Sequence, residues 1–400
     1  MAGFDAIVEK HPTRRQVLGA AATVAGSVAV GPLLAACGSA GPISSSSSSA
    51  GLSASAKLDL SNILNAAKAT PKFVPPGPSV AAAKAAGKTI WWQALTMNVP
   101  IEQEWWTGIQ AACAAAGLQA VNFDGKGQDS EIVRGLEQAI AQKVDCIITD
   151  SIGSATIAPF IAKAQSAGIK FIVANERNDA FGGPTVKSVD GDVALNYAGA
   201  AKLEADWVLA DSGGNANVIV FKLPNAPAHD DMVSVITQEF AKYAPNTAKI
   251  IAVETVAVPD WATRYPVLAR SLATAHPEMN YMIPLVDFPS QYIVPALHQA
   301  GLANKIKISS FNGTPTILQL LKNGNVVGGD IGGANTWESW AEIDLALRLL
   351  TGMPKVSYSI PLRVFDKSNI DSIDINAPTG VLWYDTASAE SGFKQLWGVA

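Results

Sequence analysis

The residues best placed for chemistry are acids and amides that end short apolar runs. "LQAVNFD" ends at Asp124, "VDCIITD" at Asp150, "IKFIVAN" at Asn175, "YMIPLVD" at Asp287 and "KIKISSFN" at Asn312. Carboxylates and amides accept from and donate to hydroxyl groups, so such a set suits a small, polar, hydroxyl-rich molecule. Asp150 and Asp287 are also the obvious pair for hydrolysis of a glycosidic bond, which needs two carboxyl groups flanking the substrate. The same acids serve equally well as acceptors for a bound ligand, with no reaction at all.

Other enzyme signatures fail on inspection. "GKT" at 87–89 lacks the first glycine of a phosphate loop and precedes an apolar run instead of following one. "GKGQDS" follows such a run, but Ser130 stands where a dinucleotide fingerprint has its third glycine. There is no GxSxG and no HExxH, and the chain has only four histidines. His276 and His298 lie at helix ends and read as capping or surface residues. His229 in "PAHDD" opens a helix from a polar loop and is positioned to contact a ligand, with Asp230 beside it. Adjacent residues do not share a helical face, so these two make no metal site. Cys113 and Cys146 belong to no CxxC pair and read as small buried hydrophobes, with a disulfide between them left open. No metal and no cofactor is expected.

The elements that would carry these residues repeat from Lys88 onward: an apolar run, a polar loop, then an amphipathic helix. Continuous apolar strands alternating with helices predict parallel sheets covered on both faces. Two such series, dividing near residues 190–215, predict an α/β fold of two similar doubly wound parallel-sheet lobes. Ligands in open α/β sheets bind outside the carboxyl ends of the strands, where the polar residues stand. Trp91, Trp92, Trp105 and Trp106 read as core or lobe-surface aromatics, with Trp105 or Trp106 able to face a cleft. The net charge of −5 and the absence of Lys/Arg clusters give no electrostatic case for nucleic acid.

The N-terminal region has a different character. Arg14 and Arg15 precede a charge-free run from Val17 to Ala36 that ends "LLAACGSA". A basic start, an apolar stretch and small residues at its end make a signal peptide, expected over residues 1–36. "TRRQVLG" resembles a twin-arginine export signal, with Val17 and Gly19 in place of the usual Phe and Lys, so the Sec route stays open. "LLAAC" resembles a lipobox, which makes Cys37 the lipidated first residue of a mature protein on the outer face of the cytoplasmic membrane. Residues 37–87, rich in Ser and then Pro, read as a flexible linker, and folding is expected to begin at Lys88.

"GLEQAIAQKVDCIITDSIGSATIAPFIAKAQSAGIKFIVAN" resembles the first lobe of the type I periplasmic sugar-binding proteins, the receptors of ribose- and galactose-type ABC importers. "PDWATRYPVLARSLATAHPEMNYMIPLVDF" and "KIKISSFNGTP" are similar to the second lobe, and the likeness extends over about residues 88–352. The resemblance implies lobes of 88–191 with 334–362 and 192–333 with 363–400, hinged near Asp192, Gly333 and Pro361. It implies no catalysis, but capture of a sugar, polyol or similar metabolite and delivery to an importer permease by a monomer. Carried over residue by residue, it implies ligand contacts from Asn98, Asp150, Asn175, Arg177, Trp261, Arg264, Asp287 and Asn312, with Asn335 and Trp337 near the hinge. Ile101 and Glu102 stand where the family has an aromatic pair, Val99 replaces a frequent Asn, and "HDD" stands near an expected Arg. A sensor feeding a membrane kinase and an exported hydrolase using Asp150 and Asp287 are the alternative readings.

Overall fold

The computed structural model describes residues 51–377 and 386–400. Cys37, the lipobox and the expected signal peptide lie outside the described residues. The first element is α1 (Ala54–Ala67), capped by the Ser53 hydroxyl, which accepts from the Ala56 N–H at 3.2 Å. The first sheet holds β1 (Thr89–Ala94), β2 (Gln119–Asp124), β3 (Cys146–Asp150), β4 (Lys170–Ala174) and β5 (Gly191–Val193). Helices α2 (Pro100–Ala116), α3 (Asp129–Gln142) and α4 (Ala158–Ser166) connect the first four of these strands. The order is β2-β1-β3-β4-β5 and every pairing is parallel.

The chain then crosses into α5 (Tyr197–Ser212), which packs on the second sheet. That sheet is built from β6 (Ala216–Lys222), β7 (Ala248–Thr255), β8 (Tyr281–Pro284), β9 (Lys307–Asn312) and β10 (Val327–Gly333). Between them run α6 (Pro227–Tyr243), α7 (Trp261–Ala275), α8 (Ser290–Gln299) and α9 (Pro315–Asn323). A single residue, Ala334, leads from β10 back to the first lobe as α10 (Asn335–Leu350), which packs against α2, β4 and β5. The chain returns once more as β11 (Leu362–Asp366), antiparallel on β10, to give the order β11-β10-β9-β8-β6-β7. The Ala334 N–H donates to the Pro361 carbonyl at 3.1 Å, tying two of the crossing passages together.

Burial explains why these runs are strands. β3 is buried at all five positions and β1 at all but the first, as strands covered on both faces must be. Helix α2 lies close on α10 because residue 108 is glycine: a Cβ there would stand 2.6 Å from the Ser339 Cβ. Cys113 and Cys146 are both buried free thiols, so no disulfide joins them.

Two segments depart from the expected boundaries. Residues 54–67 are not linker but α1, whose Leu60 and Leu64 are buried four residues apart against the second lobe. Beyond it, Phe73 lies against Trp337 and Phe393 of the first lobe, and the Val80 N–H donates to the Leu396 carbonyl at 2.8 Å. The last helix, α11 (Thr386–Trp397), belongs with the first lobe rather than the second. Trp397 stacks on Trp340 of α10, with ring centroids 5.2 Å apart, and its indole N–H donates to Asp344 at 2.8 Å.

Candidate ligand-binding cavity

The parallel order puts the carboxyl ends of both sheets' strands on facing edges. A cavity of about 70 Å³ lies there, lined from the first sheet by Ser151 and Asn175 and from the second by Asp287 and Asn312. Helix α2 contributes Glu102 and Trp105, and the start of α7 contributes Trp261. Four of the six non-glycine residues with positive φ among the described residues line this cavity: Ser151, Asn175, Asn225 and Asn312. Left-handed backbone costs free energy at any residue with a Cβ, and such conformations gather where a site must be shaped.

Asn175 is the hub on the first lobe. Its Oδ1 accepts from the Leu195 N–H at 3.1 Å and the Tyr197 hydroxyl at 3.2 Å, while its Nδ2 donates to Asp150 at 3.2 Å. Asp150 itself stands behind the wall, fully buried, and also accepts from the Ser151 hydroxyl at 2.8 Å. Burial pushes its carboxyl up to about 7, against the lowering effect of those two hydrogen bonds. On the second lobe, Asp287 accepts from the Thr314 backbone N–H at 2.7 Å and hydroxyl at 2.6 Å. Burial raises it, too, to about 7.

His229 and Trp261 also line the cavity. His229 Nδ1 accepts from the Leu223 N–H at 3.0 Å, and burial lowers the imidazole to about 4. The ring is therefore neutral near pH 7, with its proton on Nε2. The Trp261 indole N–H donates to the Val256 carbonyl at 3.3 Å, and its ring tilts against Phe288 at 6.2 Å.

Six expected contact residues lie elsewhere. Asn98 is exposed on the loop after β1, because the β1–α2 turn directs Val99 inward instead. Arg177 is held by Asp231 at 2.7 Å. Asp230 is exposed and paired with Lys222, and Arg264 is exposed with its guanidinium on the Thr255 carbonyl. Asn335 is buried and donates to Glu104 at 2.8 Å. Trp337 packs with Phe73, since its position on α10 faces the N-terminal segment and not the cavity.

The carboxyl groups of α2 and α10 are the residues that sequence reasoning passed over. Glu102 falls on the buried face of α2 with Trp105, Ile109 and Ala116, at helical spacing. That periodicity is visible in the sequence and would have placed an acid on an apolar face. Glu338 and Glu342 repeat the pattern on α10, both fully buried. Burial, reinforced by Asp150, holds Glu102, Glu338 and Glu342 well above the ordinary carboxylate range. Burial also raises Glu104 to about 8, and Asp287 adds to that from across the gap.

Comparison with known proteins fits this architecture. A family model described as a periplasmic binding protein domain matches residues 82–354. Among curated proteins none matches the chain. Among solved structures, an ABC sugar transporter subunit from Rhodobacter sphaeroides 2.4.1 superposes with a TM-score of 0.64 at 19% identity, over 71% of this chain and 100% of its own. A periplasmic solute-binding protein from Actinobacillus succinogenes 130z, with bound D-allose, gives 0.62 at 21% identity, over 72% and 100%. A solute-binding protein from Bacillus halodurans C-125, with bound myo-inositol, gives 0.64 at 14% identity, over 72% and 97%. The matched family is one of binding proteins and not of enzymes, so the hydrolase reading of Asp150 and Asp287 finds no support in it. With two parallel-sheet lobes and a family match across most of both, the chain belongs to the periplasmic binding protein domain family.

Proposed function

We propose that this chain is the extracytoplasmic solute receptor of an ABC importer, and that it holds a small polar metabolite in the cavity between its lobes. The observation that carries the reading is the double lining: Asn175 from one sheet and Asp287 and Asn312 from the other meet the same space. A ligand touching both lobes favours their closed arrangement by its differential affinity for it. Solved neighbours that hold D-allose and myo-inositol support a sugar, polyol or related solute. Cys37 carries a lipid that anchors the receptor to the outer face of the membrane, and the permease is the partner that receives the solute.

A thermal-shift screen against sugars, polyols and related metabolites tests the binding role, because a ligand of the native state raises the melting temperature. Calorimetry on Trp261→Ala and Asp287→Asn then tests the cavity. Loss of affinity in both, with cooperative unfolding retained, is expected; unchanged affinity would place the solute elsewhere. For the anchor, mass spectrometry of membrane-extracted protein should find diacylglycerol on Cys37, and an N-terminus still beginning at Met1 would rule that out.

A further inference from the structure

The cavity does not end at its own wall. A second chamber, of about 170 Å³, adjoins it and shares Leu95, Ser151, Leu223, Asn225 and Val258 with it. Both lobes build this outer chamber. The first supplies the start of α3 and the loop after β3, and the second supplies the loops after β6 and β7. Two glycines mark where the lobes meet beside it. A Cβ on Gly127 would stand 3.7 Å from the Pro259 ring, and one on Gly153 only 3.1 Å from the Asn225 carbonyl oxygen. The outer chamber is thus a walled space only while the lobes are together.

The two chambers differ in chemistry. In the inner one, Glu102 Oε2 and Asn312 Oδ1 are buried acceptors without a partner, and Trp105 Nε1 is a buried donor without one. Donors and acceptors together suit hydroxyl groups, each of which gives one hydrogen bond and takes others. Among the described residues the outer chamber has no such open group. Its Thr156 hydroxyl donates to the Gly153 carbonyl at 2.7 Å, and its Ser151 hydroxyl to Asp150 at 2.8 Å. Asp129 and Asn225 are exposed to water. The remaining wall is aliphatic: Ile132, Ile152 and Ile157, each no more than 4% exposed, with Leu223, Val258 and Pro259 from the other lobe.

A hydroxyl moved into such a space loses its water partners and gains none from the protein. An apolar group placed there is favoured, and apolar cavities of about 150 Å³ are large enough to take a benzene ring. A plain sugar or polyol, hydroxylated all round, would use the inner chamber alone. We infer that the solute has two parts: a hydroxylated head held between Asn175, Asp287 and Asn312, and a short alkyl or aryl arm lying in the outer chamber. This rests on the inner cavity being the solute site.

The experiment compares matched neutral pairs on the full chain by calorimetry: D-glucose with phenyl β-D-glucopyranoside, D-ribose with butyl β-D-ribofuranoside, and glycerol with 1-O-butylglycerol. Each methylene buried is worth about fourfold in affinity, so at least one arm-bearing member should bind at least about tenfold tighter than its parent. Ala257 and Val133 line the outer chamber and not the inner one. Ala257→Leu should fill the chamber and remove most of that gain, with the parent's affinity kept within about twofold. Val133→Phe gives a second filling variant if the first fails to fold. Parents that bind as tightly as their arm-bearing partners would overturn the arm and leave the receptor standing. A gain that both filling variants leave intact overturns it also. Failure of every member to bind overturns the arm and counts against the receptor reading itself.

Discussion

Arg177 Nε donates to Asp231 Oδ2 at 2.7 Å, and this ion pair joins the loop after β4 in the first lobe to helix α6 in the second. Their side chains are 25% and 30% exposed, so water screens the pair and limits its worth to about 1 kcal/mol or less. Its position matters more than its strength, because it exists only while the lobes are together. Asp231→Asn should therefore weaken solute binding by about two- to fivefold through easier opening, with the melting temperature nearly unchanged. Calorimetry and small-angle scattering on the same sample would check both halves. Tighter binding in the variant would contradict a latch.

The buried acids set a pH dependence whose sign can be worked out. Asp150 and Asp287 are raised to about 7 from 3.8, and Glu104 to about 8 from 4.5. The folded state thus holds protons that the unfolded chain has released, and the stability this gives is lost as pH rises through 7 to 8. His229 works the other way but only below its ordinary 6.5, where the unfolded chain begins to take up the proton that the buried ring refuses. Above pH 6.5 the carboxyls are joined only at about pH 8.5 by the buried Cys113 and Cys146 thiols, which burial also raises and which act with the same sign. The unliganded protein should lose about 5 °C in melting temperature between pH 6.5 and about 8.5, and Asp150→Asn should flatten the slope. Melts across that range decide it; a rising curve would mean the acids are ionised and balanced.

The last helix is a structural part of the first lobe. Trp397 is buried, stacks on Trp340 and donates to Asp344. Trp397→Ala leaves a large void and deprives a buried carboxylate of a donor, so a loss of about 3–5 kcal/mol is expected from denaturant unfolding. A loss below about 1 kcal/mol would mean that α11 frays independently of the lobe.

Helix α2 carries Glu102 and Trp105 into the cavity and owes its placement to Gly108. Gly108→Val would press a side chain into Ser339 of α10, and overpacking of this kind costs about 1–3 kcal/mol. Because α2 must shift to relieve it, affinity should fall along with stability. Unfolding and binding measured together would reveal a variant that changes only one.

The strand runs and their polar ends were readable from sequence because a doubly covered strand needs a continuous apolar run, and its end is the first place a polar side chain fits. Asn175, Asp287 and Asn312 reach the cavity by that logic. The arginines were not readable: whether Arg177 points at a solute or at Asp231 depends on a residue 54 positions away. Helix α1 hid in a tract of serine and alanine, since only Leu60 and Leu64 mark its buried side. The family resemblance carries residues 363–400 to the second lobe, and only the rings of Trp340 and Trp397 show that α11 docks on the first.

The N-terminal segment gives the lobes a leash. Lys68 is pinned to the second lobe, where its carbonyl accepts from Arg363 at 2.9 Å and its ammonium pairs with Asp366 at 2.7 Å. Phe73 is pinned to the first lobe between Trp337 and Phe393. The chain between those two pins can span no more than about 18 Å even when fully drawn out. Opening is thus stopped by a cord of fixed length at the spine, and any pull on the N-terminal end arrives first at the second lobe.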